Sequence, residues 1–178
     1  MGARICAVAD SKGVIFDPDG LKYKEVMEVK KKTGSVINCP IGTGSQSQKL
    51  GVGEIFGLPV SLIVTAAFPD VININNADGI RAKMIIEGAN ISVTPEAEKK
   101  LFERGVLVLP DIVANAGGVI SSYAEWKGGY DKEKTFKLIK QKITKSVREI
   151  LTAAREKKIR PREAALAVAR ERIKKATK

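Results

Sequence analysis

Residues 83–126, KMIIEGANISVTPEAEKKLFERGVLVLPDIVANAGGVISSYAEW, constrain the fold more than any other stretch. They read as strand, helix, strand, helix with almost no linker. An apolar run at 84–87 ends in a Gly-Ala-Asn turn. Thr94-Pro95-Glu96 opens a helix: threonine suits the N-cap, proline the first helical position, and Glu96 and Glu98 the positive end of the dipole. Gly105 closes that helix, and 106–109 is a second apolar strand. Asp111 is placed to cap the next helix. Two strands joined by one helix form a parallel βαβ unit, whose ligands lie beyond the carboxyl ends of the strands. Asn90 follows one such end; Asn115, Gly117, Gly118 and Ser122 follow the other. Amides and glycines at those positions point to a small-molecule site.

The chain has 178 residues, enough for one domain with a small appendage. It has no histidine, which excludes a Ser-His triad, a histidine base and any His-ligated metal. No metal site is expected. Cys6 and Cys39 lack ligand spacing and read as buried thiols in a reducing cytoplasm. No apolar run is long enough to span a bilayer. The formal charge of +11 lies wholly in the tail: residues 131–178 carry 17 basic and 6 acidic residues, and the rest balance at 14 of each. A basic tail fits nucleic acid or an acidic partner, but it lacks aromatic interleaving, so the solvated face of amphipathic helices is the favoured reading.

Residues 3–9 read as a buried strand ending at Asp10. An acid there can bind ribose hydroxyls, or simply start the Asp-Ser-Lys-Gly turn; the two readings are even. Residues 13–16 read as an antiparallel edge strand, and 21–32 as a helix closed by Gly34. Residues 33–53 are irregular; Gly42-Thr43-Gly44 and Gly51-Val52-Gly53 begin like dinucleotide fingerprints but lack the third glycine. Residues 61–64 form a strand followed by Thr65-Ala66-Ala67. Small residues there let a flat ligand approach, or let the next segment pack closely. Residues 76–82 read as a short helix or turn. In the tail, Phe136, Ile139, Ile143, Val147, Ile150 and Ala154 share one stripe of a helix of about seven turns. Pro161 opens a second helix with Ala165, Val168, Ala169 and Ile173 inward.

The segments EGAN, TPEAEKKLFERGV and PDIVANAGGVISSYAEW, with GARICAVADSKGVIFDPDGLKY and KTGSV upstream, resemble the glutamate dehydrogenases, within the Glu/Leu/Phe/Val dehydrogenase superfamily. The likeness implies an α/β fold: an incomplete doubly wound, Rossmann-like, mostly parallel sheet lacking the first Gly-rich βα unit, with a C-terminal helical pair. Residues 1–130 would be a partial NAD(P)-binding domain, and 131–178 amphipathic helices packed on it. By resemblance, Asp10 lies near the adenosine ribose, and Ala66 and Ala67 line the cofactor groove. Asn90 and Asn115 serve the nicotinamide ribose and carboxamide, and Ser122 reaches the substrate's side-chain carboxylate. Asn115 could equally stabilise a helix start, and Ser122 be a surface serine.

The implied reaction is NAD- or NADP-dependent oxidative deamination of glutamate to 2-oxoglutarate and ammonia, in the cytoplasm. The family's catalytic lysine and aspartate belong to an N-terminal domain not represented here, so the chain is expected to start in mid-domain and to be inactive alone. Without the first strand, residues 4–9 and 61–64 would each show an apolar edge. The expected partner is the missing half or further copies in a homo-oligomer. The alternative is a non-catalytic remnant acting as a regulatory or partner-binding module. Two departures stand out: Thr65 where the family usually has proline, and Ile91-Ser92-Val93 where it usually has Gly-Pro-Thr.

Overall fold

The computed structural model describes residues 2–40, 47–129 and 131–177, so the Gly42-Thr43-Gly44 segment lies outside it. The chain divides into two compact units, Met1–Val60 with Gly79–Arg81, and Ser61–Asp78 with Ala82–Lys178.

The first unit is built on a hairpin. Strands β1 (Ala7–Asp10) and β2 (Gly13–Phe16) are antiparallel, with Asp10 opposite Gly13 across a two-residue turn. At that turn Lys12 N–H donates to Asp10 Oδ1 at 2.9 Å. Helix α1 (Tyr23–Thr33) ends on left-handed Gly34, whose N–H donates to the Lys30 carbonyl. Strand β3 (Gln48–Leu50) pairs antiparallel on the far side of β2. Residues 13–16 are therefore the central strand, and all four are buried. Alternation explains it: Ile15 packs with Val26, Val36 and Cys39, whereas Val14 and Phe16 pack with Leu58. Two readings change here. β1 starts at residue 7 rather than 3, and residues 13–16, expected at an edge, are central because β3 covers their far side. Their antiparallel pairing with β1 is as expected, since a parallel partner would need a long crossover.

The second unit holds a parallel sheet in the order β4 (Leu62–Thr65), β5 (Met84–Glu87), β6 (Leu107–Leu109). Helix α2 (Pro95–Glu103) crosses from β5 to β6. Its start is as expected: Thr94 Oγ1 accepts from Ala97 N–H at 3.4 Å, and Pro95 takes the first position. Beyond its end Gly105 adopts φ +76°. The inner face carries Ala97, Glu98 and Leu101. The span at 76–82 contains one 3-10 turn, Ala77–Gly79.

Four helices come next: α3 (Asp111–Ala114), α4 (Gly117–Gly128), α5 (Lys132–Lys157) and α6 (Pro161–Ala176). Val113, Ile150, Ala154, Ala164 and Ala165 form the core that joins α3, α5 and α6. The expected stripes hold where neighbours cover them and fail beyond. Phe136 is 60 % exposed and Ile173 63 %, since an apolar face is buried only as far as another element extends. Among the described residues, no helix is long and apolar enough to cross a membrane.

Candidate functional site

The carboxyl ends of β4, β5 and β6 present Thr65, Glu87 and Leu109. The loop after β5 is drawn onto the end of β4: Ala89 N–H donates to the Thr65 carbonyl at 2.7 Å. A Cβ on Gly88 would lie 3.2 Å from Thr65 O and 3.3 Å from Ala66 Cβ, a tight contact that a larger residue would relieve only by shifting one of the two loops. Ala66 and Ala67 are exposed beside this contact.

Asn90 and Asn115 come together. Asn115 Nδ2 donates to Asn90 Oδ1 at 2.7 Å. That bond leaves the Asn90 amide as donor and the Asn115 carbonyl oxygen as acceptor, in an exposed position. Ser122 is exposed on α4 and donates to the Gly118 carbonyl at 3.1 Å, within its own helix. To donate to a ligand it must release that carbonyl.

Asp10 belongs to the first unit. Its Oδ1 accepts from Lys12 N–H at 2.9 Å and Ser35 Oγ at 3.0 Å. Its Oδ2 accepts from Lys30 Nζ at 2.5 Å and Val36 N–H at 2.8 Å. A carboxylate has about four acceptor positions, so protein groups fill them. Burial pushes its pKa up, but these four donors outweigh it and hold the carboxyl well below the usual range.

Beneath the asparagines lies an ionic cluster that the sequence reading missed. Arg162 of α6 donates from Nε to Glu98 Oε2 at 2.9 Å, from Nη1 to Asp111 Oδ1 at 2.8 Å, and from Nη2 to Glu87 Oε2. Glu87 is 0 % exposed. It also accepts from the N–H groups of Val93 at 2.8 Å and Asp111 at 3.0 Å. Asp111 does not cap α3, as expected of it; Pro110 holds the cap position. Its carboxylate instead accepts from Ile91 N–H at 2.8 Å and Ile112 N–H at 2.9 Å. Burial raises the Asp111 pKa, but the Ile91 N–H and Arg162 pull it below its ordinary value. Burial also raises Glu98, and Arg162 offsets this only in part. Glu98 Oε1 is buried without a hydrogen-bond partner among the described residues. A signal existed: a glutamate ending a buried strand needs a charge partner. Nothing in the sequence showed which arginine, because Arg162 lies 75 residues further on.

The two departures from the family pattern meet here. Thr65 Oγ1 lies 2.5 Å from Ser92 Oγ, both buried, and Ser92 also reaches Glu87 Oε1 at 3.4 Å. Thr65→Val and Ser92→Ala should each cost about 1–2 kcal/mol, and the double variant less than their sum. Urea titration of the four proteins checks this; strictly additive losses would mean that the contact contributes nothing. Ile91 stands at φ +49°, a left-handed conformation rare for a β-branched residue. The family's glycine suits this backbone. Ile91→Gly should stabilise the unit by about 1 kcal/mol, strain relief exceeding the entropy lost by glycine. A lower urea midpoint would contradict that.

An open parallel sheet with small residues and a paired amide beyond its strand ends defines the class: α/β proteins that bind ligands at the carboxyl edge of the sheet. The model of the Glutamate/Leucine/Phenylalanine/Valine dehydrogenase family matches residues 1–178, and the chain belongs to that family. It is 45% identical to a glutamate dehydrogenase of Aeropyrum pernix over 188 residues, covering 100% of this chain and 44% of that protein. To the NADP-specific glutamate dehydrogenase of Saccharolobus shibatae it is 40% identical over 149 residues, covering 81% and 34%. The hetero-hexameric glutamate dehydrogenase from Thermus thermophilus, in its Leu-bound form, superposes with TM-score 0.83 at 31% identity, covering 97% of this chain and 41% of that one. The chain thus spans less than half the length of the curated relatives it matches.

Proposed function

We propose that this chain is the cofactor-binding portion of an NAD(P)-dependent dehydrogenase that deaminates glutamate oxidatively to 2-oxoglutarate and ammonia. The Asn90–Asn115 pair carries the reading, since one exposed amide donor beside one carbonyl acceptor matches the edge of a carboxamide. The exposure of Ala66 and Ala67 supports it, because small side chains let a flat ring approach the backbone. Asn90 and Asn115 would hold the nicotinamide end, with Ala66 and Ala67 along the groove. Ser122 would meet the substrate's side-chain carboxylate once released from Gly118. When bound, the nicotinamide accepts hydride from the substrate's α-carbon. Asp10 would take the adenosine ribose only by giving up Lys30 or Ser35.

The proton-transferring residues would come from another portion or polypeptide. Edge strands β1 and β4 support such a partner, as does exposure of Leu62 and Val64 on β4. Assembly into an oligomer is supported by the hexameric Thermus relative. A reducing, cytoplasmic setting is proposed, in which Cys39, buried as expected, and Cys6, half-buried rather than buried, would remain thiols.

The test is to mix the chain with the separately produced N-terminal portion of the Aeropyrum relative. Reduction of NAD and of NADP is then monitored with glutamate. Turnover is expected; no turnover, together with no nucleotide binding by the chain, would overturn the reading. The saturated Asp10 carboxylate favours a second reading, a regulatory or partner-binding module. It predicts that the two portions associate while glutamate is never oxidised.

A further inference from the structure

We propose that Arg162 is a positioning residue: by gripping Glu87 and Asp111 it sets the two loops that carry Asn90 and Asn115. This rests on the proposed function only in taking that pair for the nicotinamide end of the site.

The guanidinium is a rigid planar fork with five N–H donors, and three different nitrogens engage three different carboxylates. Two of those carboxylates pass the constraint on. Glu87 binds the N–H groups of Val93 and Asp111, which fixes β5 against both loops beyond the strand ends. Asp111 binds the N–H of Ile91, the residue after Asn90. Asp111 is also the first residue of α3, and its carbonyl accepts from Asn115 N–H at 3.0 Å. Each asparagine therefore lies within one helical turn of a residue that the cluster holds.

Two further observations favour positioning over simple stabilisation. Ile91 is strained at φ +49°, and such a conformation persists only where its surroundings over-determine it. The cluster itself is a poor stabiliser: three acids share one cation, and Glu98 Oε1 is left without a partner among the described residues. Apolar packing would hold these elements at least as well, so fixed geometry is what the ions add.

The test uses the full chain and Arg162→Lys, which keeps the charge and loses the fork. NMR reads the Asn115 side-chain amide signals and the exchange of the Ile91 and Asp111 amide protons. The Ile150 amide in α5 serves as a distant reference. In the variant the Asn115 signals should move towards those of an unbonded carboxamide. Exchange at Ile91 and Asp111 should rise about ten-fold or more, while Ile150 stays protected. NADH and NADPH affinity should fall about ten-fold alongside. A folded variant with the asparagine pair and the Ile91 amide unchanged would overturn the proposal. Uniform loosening that includes Ile150 would also overturn it, because it would mean a structural role alone. If Arg162→Lys does not fold, Asp111→Asn is read in the same way, since an amide oxygen cannot replace both carboxylate oxygens. A wild-type chain that binds neither nucleotide would strike the functional reading, while the NMR outcome still decides the positioning.

Discussion

Arg162→Met is expected to lower the stability of the second unit by about 3–5 kcal/mol near neutral pH. Methionine can fill much of the space of the arginine stem, so the loss is electrostatic rather than a cavity. Three carboxylates remain, on Glu87, Glu98 and Asp111, with side chains 0 %, 2 % and 6 % exposed. Backbone N–H groups still bind Glu87 and Asp111, whereas Glu98 Oε2 loses the guanidinium that donates to it. Burial, no longer offset by Arg162, then favours the protonated form of Glu98 in the folded variant. Folded pKa values above the unfolded ones mean stability that is complete at low pH and lost as pH rises. The gap between variant and wild type should therefore close as pH falls towards about 4. Urea titrations across that range measure it. A loss below about 1 kcal/mol at neutral pH, or one independent of pH, would show that the cluster is held otherwise. Glu98→Leu added to Arg162→Met should recover part of the loss, because it removes the acid that burial already disfavours.

The contrast between this cluster and the helix above it shows what the sequence could reveal. Thr94, Pro95 and Gly105 were legible because a cap, a first-turn proline and a left-handed glycine act within a few residues of chain. Strand β5 kept its expected bounds for the same reason. The Asn90–Asn115 pair was legible one level up, because a parallel sheet brings the loops beyond its strand ends to one edge. Arg162 was not. Its partners lie 51, 64 and 75 residues away, and in a tail full of lysine and arginine one more basic residue looks solvated. Thr65, Ile91 and Ser92 were visible as departures from a pattern, but their meeting around Glu87 required coordinates. The place of residues 13–16 in their sheet failed differently. The spacing of Asp10 and Gly13, which allows a hairpin and no crossover, made the antiparallel partner legible. An apolar run says nothing about a second partner, and β3 comes from the irregular stretch at 33–53. Phe136 and Ile173 make the same point for helices: periodicity identifies the apolar face, and only the neighbouring element decides how much of it is covered.

Asp10→Asn should cost nearly as much as Asp10→Ala, about 3 kcal/mol, although asparagine is isosteric. The reason is the donor set. Lys12 and Val36 present backbone N–H groups, Ser35 a hydroxyl and Lys30 an ammonium. An asparagine turned to serve Lys12 and Ser35 with its oxygen directs its NH2 at Val36 N–H and Lys30. Turned the other way, it does the same to Lys12. A backbone N–H then loses its acceptor in either orientation, that of Val36 or that of Lys12, and the neighbouring Ser35 is 0 % exposed. The first unit is small, and its sheet has three short strands, so a loss of this size should leave it partly unfolded while the second unit stays intact. The wild type should respond to acid in the same sense. The folded carboxyl is held below its ordinary value, so its contribution is complete above about pH 4 and is lost as pH falls below it. Amide exchange resolved by residue separates the units: protection of Val14 and Ile15 should collapse in Asp10→Asn while that of Ile85 and Leu101 persists. Retained protection at Val14 and Ile15 would mean that the four donors find water instead. Asp10 would then be free to bind a ribose without dismantling the turn it anchors.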